Sequence, residues 1–183
     1  MENNHILGTL GDNNGFLTCS MYVAQKWNKY KIIRPYSRFE LAAQDVRSEK
    51  IFCFLVPAAY PDIKSFIMDD LLTVKEVFIE QIPPLVYVTK SNVGDENDLD
   101  KIYIHPATTK LLDDISNEMV LLKVVYVDSN IDACKALISD SSKRSVAITN
   151  KLCADYYKLN IIRVLRQGIK MPWVCFVKKT IGG

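Results

Sequence analysis

Five cysteines and two histidines are the residues of this chain best equipped for metal or nucleophilic chemistry, and their placement argues against both. Cys19, Cys53, Cys134, Cys153 and Cys175 form no CxxC pair, are odd in number and lie mostly inside apolar segments, where a thiol acts as a small hydrophobe. They are expected to be reduced and structural. His5 and His105 belong to no HExxH motif or Cys/His cluster, so no protein-built metal site is expected. Anion chemistry suits the sequence better. Small and polar residues gather where apolar runs meet helical patterns, at Gly8–Asn14, Pro57–Asp62, His105–Thr108, Asp128–Asn130 and Thr149–Asn150. A helix start presents free backbone N–H groups and a positive dipole end, which favour an anion. Each junction also reads as an ordinary cap, since every helix needs one.

The elements that would position these junctions alternate. Apolar, β-rich runs at 51–56, 74–79, 85–89, 121–127, 145–148, 161–165 and 173–178 predict strands, several too continuously apolar to face water. Helical stripes are formed by Phe16, Ser20, Val23 and Trp27 behind Asn13 and Asn14 as caps, and by Ile63, Phe66, Ile67 and Leu71. Two more are formed by Ala133, Leu137 and Ile138 behind Asn130, and by Leu152, Tyr156 and Leu159 behind Thr149 and Asn150. Strand followed by helix predicts an α/β fold with mainly parallel sheets. Two prolines in Gln81-Ile82-Pro83-Pro84 cannot join a central ladder and mark a crossing between two lobes, while Asn92–Asp100 reads as a solvated loop.

The bulk numbers exclude several classes. A chain of 183 residues, 49% hydrophobic, can bury a sizeable core. Its 23 basic and 21 acidic side chains are interspersed, which gives nucleic acid no electrostatic footprint. The start, MENNHILGTL, does not read as a secretory signal, and no apolar run approaches the roughly 20 residues that span a bilayer. The expectation is a cytoplasmic protein with no membrane partner.

Four segments resemble, in order, the motifs of the prephenate dehydratase-like family: LGTLGDNNGF at Leu7–Phe16, VPAAYPDIKSF at Val56–Phe66, IHPATTKLL at Ile104–Leu112 and SVAITNKLCADYYKLNIIRVL at Ser145–Leu165. Within it the likeness is greatest to the non-aromatising prephenate decarboxylases of the bacilysin and aeruginosin type, through Val56, Pro57, Ala59, Tyr60, Ile63, Lys64 and Phe66 of a VPxAYxxIKxF loop. It extends through Ala147–Leu152 and a closing Met171, Trp173 and Phe176. The resemblance implies two α/β lobes of the type II periplasmic-binding-protein kind with prephenate in an interlobe cleft. The lobes are expected at 1–82 plus 162–183 and at 83–161, together one catalytic domain without an ACT domain. It implies no cofactor, a small-molecule substrate as partner, and allows for a homo-oligomer.

Site residues follow only at matched positions. In the opening loop Thr9, Gly11, Asp12 and Asn13 are implied to meet the substrate, although the family's Glu and Thr are here Leu10 and Asp12. Asp12 then reads as a helix cap or as a partner of the ring hydroxyl. Ala59, Tyr60 and Lys64 follow, with Lys64 as a carboxylate partner. His105 reads equally as a residue fixing its own loop and as a substrate contact, and Ala107 and Thr108 would offer N-terminal amides to the pyruvyl carboxylate. Ser129 and Thr149 complete the polar set, while the family's second serine is here Ile131. Met171 and Trp173 close the set, with Trp173 reading as a core strand residue or as an apolar wall of the cleft.

Aromatising dehydratases carry a Thr-Arg-Phe triplet that this reading aligns with Val174-Cys175-Phe176. Valine cannot donate a proton and cysteine cannot replace a guanidinium, and losing a general acid costs on the order of 10² to 10⁴ in rate. The resulting expectation is decarboxylation of prephenate to dihydro-4-hydroxyphenylpyruvate with the ring hydroxyl retained, within antibiotic or other secondary metabolism, the proton donor unassigned. A dehydratase giving phenylpyruvate and a non-catalytic binding module are the alternatives.

Overall fold

The computed structural model describes residues 5–11, 16–90, 99–115 and 122–180. Asp12, Asn13, Asn14 and most of the Asn92–Asp100 segment lie outside the described residues. Two compact units emerge, Met1–Ile82 with Lys170–Gly183, and Pro83–Ile169. In the first, chain order is β1 (Ile6–Leu10), α1 (Cys19–Trp27), β2 (Ile32–Tyr36), α2 (Phe39–Arg47), β3 (Cys53–Pro57), α3 (Ile63–Ile67) and β4 (Leu72–Gln81). The second holds β5 (Leu85–Thr89), β6 (Lys101–Ile104), a 3-10 helix (Pro106–Asp114), β7 (Lys123–Tyr126), α4 (Asn130–Ser139), β8 (Ser145–Asn150), α5 (Lys151–Tyr156) and β9 (Asn160–Arg166). The chain then returns to the first unit as β10 (Lys170–Lys178).

Each unit is built on one five-stranded mixed sheet, in the orders β2-β1-β3-β10-β4 and β7-β6-β8-β5-β9. The expectation of mainly parallel sheets is corrected at two strands. β10 runs antiparallel to β3 and β4, and β5 runs antiparallel to β8 and β9. Both are entered directly after the chain passes from one unit to the other, so neither follows a helical crossover within its own sheet. Residues 162–169, expected with the first lobe, belong to the second unit because β9 pairs with β5.

Side-chain alternation assigns the two faces of the first sheet. Ile6, Phe54, Val56, Val174 and Phe176 join Phe39, Ala42, Ala43 and Val46 of α2 and Phe66 of α3 in one apolar layer. The helix α2 supplies that layer with residues spaced i, i+3, i+4 and i+7. Phe54 stacks on Phe176 at 5.2 Å, and Phe66 meets Phe54 edge-on at 5.2 Å. Leu7, Thr9, Cys53, Leu55, Trp173 and Cys175 therefore face the other way, toward α1 with its buried Met21, Val23 and Ala24. Helix α1 begins later than its stripe suggests. Thr18 caps it by accepting the Met21 N–H at 3.1 Å, while Phe16 is exposed.

The run Met171–Val177 lacks charged groups and hydroxyls because β10 is covered on both faces over Trp173–Phe176. Val174 packs among Val56, Phe66 and Phe176, and Cys175 is fully buried on the opposite face. Their apolar character fits this packing on the two faces of the sheet. No helix among the described residues is long and apolar enough to cross a membrane.

Candidate functional site

In the first unit the candidate residues divide between the two faces of the sheet. Thr9 is fully buried, and its hydroxyl donates to the Leu55 carbonyl at 2.8 Å, tying β1 to β3. Gly11 follows β1 and donates its N–H to the Tyr36 carbonyl at 2.9 Å. A Cβ at Gly11 would lie 2.8 Å from the Pro35 Cβ and 2.9 Å from the Met21 Cγ, so close packing by itself requires glycine there. Trp173 pairs with Pro57, the last residue of β3, and with Phe78 of β4. Its indole is 1% exposed, and its Nε1 has no hydrogen-bond partner among the described residues. Met171, half-buried, lies opposite Glu80.

Tyr60 belongs to the α2 and α3 layer. Its ring meets Phe39 at 4.8 Å and Phe66 at 6.1 Å, and its hydroxyl donates to Glu40 Oε1 at 2.5 Å. Burial, reinforced by that carboxylate, pushes the phenol up to about 12. Ala59 is exposed in the turn before it. Lys64 is exposed on α3, and its side chain makes no hydrogen bond or ion pair among the described residues. Glu40, twenty positions upstream of Tyr60, carried no local signal as its partner.

In the second unit, β6, β7 and β8 run parallel, and the candidates sit just beyond or at their carboxyl ends. This is where ligands enter open α/β sheets. His105 caps the 3-10 helix: its Nδ1 accepts the Ala107 N–H at 3.1 Å, and its carbonyl accepts both the Thr108 N–H at 2.9 Å and the Thr108 hydroxyl at 2.7 Å. The two amides expected to cradle a carboxylate are thus already engaged by His105. Because Nδ1 is an acceptor, the neutral imidazole carries its proton on Nε2. Burial lowers the His105 pKa, against an opposing pull from Asp128.

Ser129, not Asn130, caps α4. Its hydroxyl accepts the Asp132 N–H at 3.0 Å and donates to Asp132 Oδ2 at 2.7 Å. The Ser-x-x-Asp spacing is a capping-box pattern and was available in the sequence. Thr149 is fully buried, donates to the Asn130 carbonyl at 2.9 Å and receives the Cys134 thiol at 3.3 Å. Asn150 caps α5 through the Cys153 N–H at 2.9 Å. The hydroxyls of Thr9, Thr108, Ser129 and Thr149, together with that of Tyr60, therefore all donate their protons within the protein. No group of three or more His, Cys, Asp or Glu side chains among the described residues is arranged to hold a metal ion.

The two units together define a two-lobed α/β fold of the type II periplasmic-binding-protein kind. The chain is similar over 96% of its length to prephenate dehydratase from Arthrobacter aurescens solved with L-Phe, with a TM-score of 0.73 and 15% identity, and covers 61% of that chain. It is also similar over 97% of its length to GqqA, described as a novel type of quorum-quenching acylase, with a TM-score of 0.69, 15% identity and 65% of that chain covered. A third likeness, over 97% of the chain, is to the methionine-binding protein MetQ, with a TM-score of 0.59, 12% identity and 84% of that chain covered. The chain thus spans less than two thirds of the length of the first two. No protein-family model matches the sequence, and no curated protein sequence matches it significantly.

Proposed function

We propose that this chain binds prephenate and removes its ring carboxylate as carbon dioxide without aromatising the ring. The C–C bond to the ring carboxylate breaks, its electron pair moves into the adjacent ring double bond, and a carbon further along takes a proton. The product is dihydro-4-hydroxyphenylpyruvate with the C4 hydroxyl in place. The observation that carries this reading is the state of the candidate hydroxyls: each already donates its proton to a protein acceptor. Expelling the ring hydroxyl as water requires an acid directed at that oxygen, whereas loss of carbon dioxide requires none there. Moving the departing carboxylate away from water raises its energy relative to the transition state, in which charge is dispersed.

In the second unit His105 offers Nε2–H as a neutral donor. In the first, the exposed Lys64 is the candidate cation for a carboxylate. The likeness to a prephenate dehydratase supports the substrate class, and the motif around Tyr60 and Lys64 supports the non-aromatising branch. The same committed hydroxyls also suit a protein that binds a small acid without changing it, and the likeness to MetQ favours that second reading.

Incubation of the purified chain with prephenate, followed by NMR and carbon dioxide measurement, separates the readings. Equal amounts of carbon dioxide and dihydro-4-hydroxyphenylpyruvate are expected. Phenylpyruvate as the enzyme-dependent product would make the protein a dehydratase, and saturable binding without turnover would make it a binding module.

A further inference from the structure

Trp173 holds a buried donor that nothing among the described residues answers. The indole N–H can only donate, the side chain is 1% exposed, and Nε1 has no hydrogen-bond partner among the described residues. An orphaned buried donor is destabilising, and such a group in a folded protein calls for an explanation. Its place in the fold supplies one. Trp173 pairs with the last residue of β3, on the face that also carries Thr9, where the parallel strands β1 and β3 end. Ligands enter open α/β sheets at such ends.

The surroundings specify the acceptor. Phe78, opposite Trp173 on β4, is stacked on Trp27 at 4.4 Å. The cations Lys26 and Lys29 are already paired with Glu80 and Glu76 of β4. An apolar surface whose neighbouring cations are neutralised disfavours a carboxylate and tolerates a neutral oxygen held by one donor. We propose that Trp173 Nε1 donates a hydrogen bond to a neutral oxygen, keto or hydroxyl, of the small acid bound by this protein. The identity of that acid as prephenate rests on the function proposed above. An indole N–H is far too weak an acid to protonate the oxygen it holds, so this contact would position a ring hydroxyl without expelling it.

The chain has two tryptophans, so indole ¹⁵N labelling gives two side-chain resonances, and Trp27→Phe assigns them. Prephenate and phenylpyruvate are titrated separately, with calorimetry on the same samples and on Trp173→Phe. The expected result is a shift of the Trp173 resonance with prephenate and an affinity roughly 5- to 100-fold weaker in Trp173→Phe. A shift with phenylpyruvate alone would keep the Trp173 assignment and remove prephenate as the ligand. Calorimetric binding of prephenate with an unmoved Trp173 resonance would overturn the assignment while leaving the proposed function in place. Failure of both acids to bind or to move the resonance would overturn both. The NMR titration uses unaltered protein and decides the matter even if Trp173→Phe does not fold.

Discussion

The backbone N–H of Ala107 donates to Nδ1 of His105 over 3.1 Å, so this imidazole fixes its own helix start and fixes its own tautomer at once. Protonation at low pH would remove that acceptor. The folded-state pKa of His105 lies below its ordinary value of 6.5, so the unfolded chain takes up the proton first. The stability contributed by the neutral ring is complete above about pH 6.5 and is lost as pH falls through the lower folded value. Thermal melts from pH 8 to pH 5 should show this decline. His105→Asn, which keeps a capping acceptor, should flatten it while lowering turnover of prephenate by roughly 10²-fold if Nε2–H acts on the substrate.

Tyr60 and Lys64 are expected to separate by role. Tyr60→Phe keeps the ring against Phe39 and Phe66 but loses the bond to Glu40. It should destabilise by about 1 kcal/mol in chemical denaturation and leave KM for prephenate within about twofold. Lys64→Ala, at an exposed position, should change stability by less than about 0.5 kcal/mol. If Lys64 holds a carboxylate, KM should rise roughly 10-fold, one charge-assisted hydrogen bond's worth.

Gly8 has no room for a side chain. An added Cβ would lie 2.6 Å from Ile51 Cδ1, 2.9 Å from Tyr36 Cε2 and 3.3 Å from Ala42 Cβ. Gly8→Ala should cost about 1–3 kcal/mol of stability through overpacking, read as a lower denaturation midpoint with an unchanged slope.

Asp140 accepts from Lys101 at 2.8 Å, Tyr103 at 2.9 Å, Ser145 at 2.6 Å and the Ser142 N–H at 3.0 Å. The Lys101 ammonium and these other donors hold its carboxyl well below the usual carboxylate range. The stability it contributes is therefore present above about pH 4 and lost as pH falls toward the folded value. Asp140→Asn should lower Tm at neutral pH by on the order of 5 °C and remove much of the acid-side slope between pH 4 and pH 2.

Much of the framework could be read from local pattern. The seven apolar runs correspond to β3, β4, β5, β7, β8, β9 and β10. Three strands escaped that reading for physical reasons. β1 contains Gly8 and Thr9, β2 is an edge strand carrying Arg34 and Pro35, and β6 is four residues long. Helix α2 was missed because two of its four core contacts are alanines, a weak apolar signal.

Alternation of strand and helix, the proline-marked crossing and the cap chemistry at Ser129 and Asn150 were written in neighbouring residues, because propensity, capping and burial periodicity act over a few positions. The fate of each functional proton was not. Thr9 meets the Leu55 carbonyl across 46 positions, Tyr60 meets Glu40 across 20 and Thr149 meets the Asn130 carbonyl across 19. Only strand register and helix docking bring such groups within hydrogen-bond distance. The same register turned Val174 and Cys175 to opposite buried faces and left the Trp173 N–H without an acceptor among the described residues.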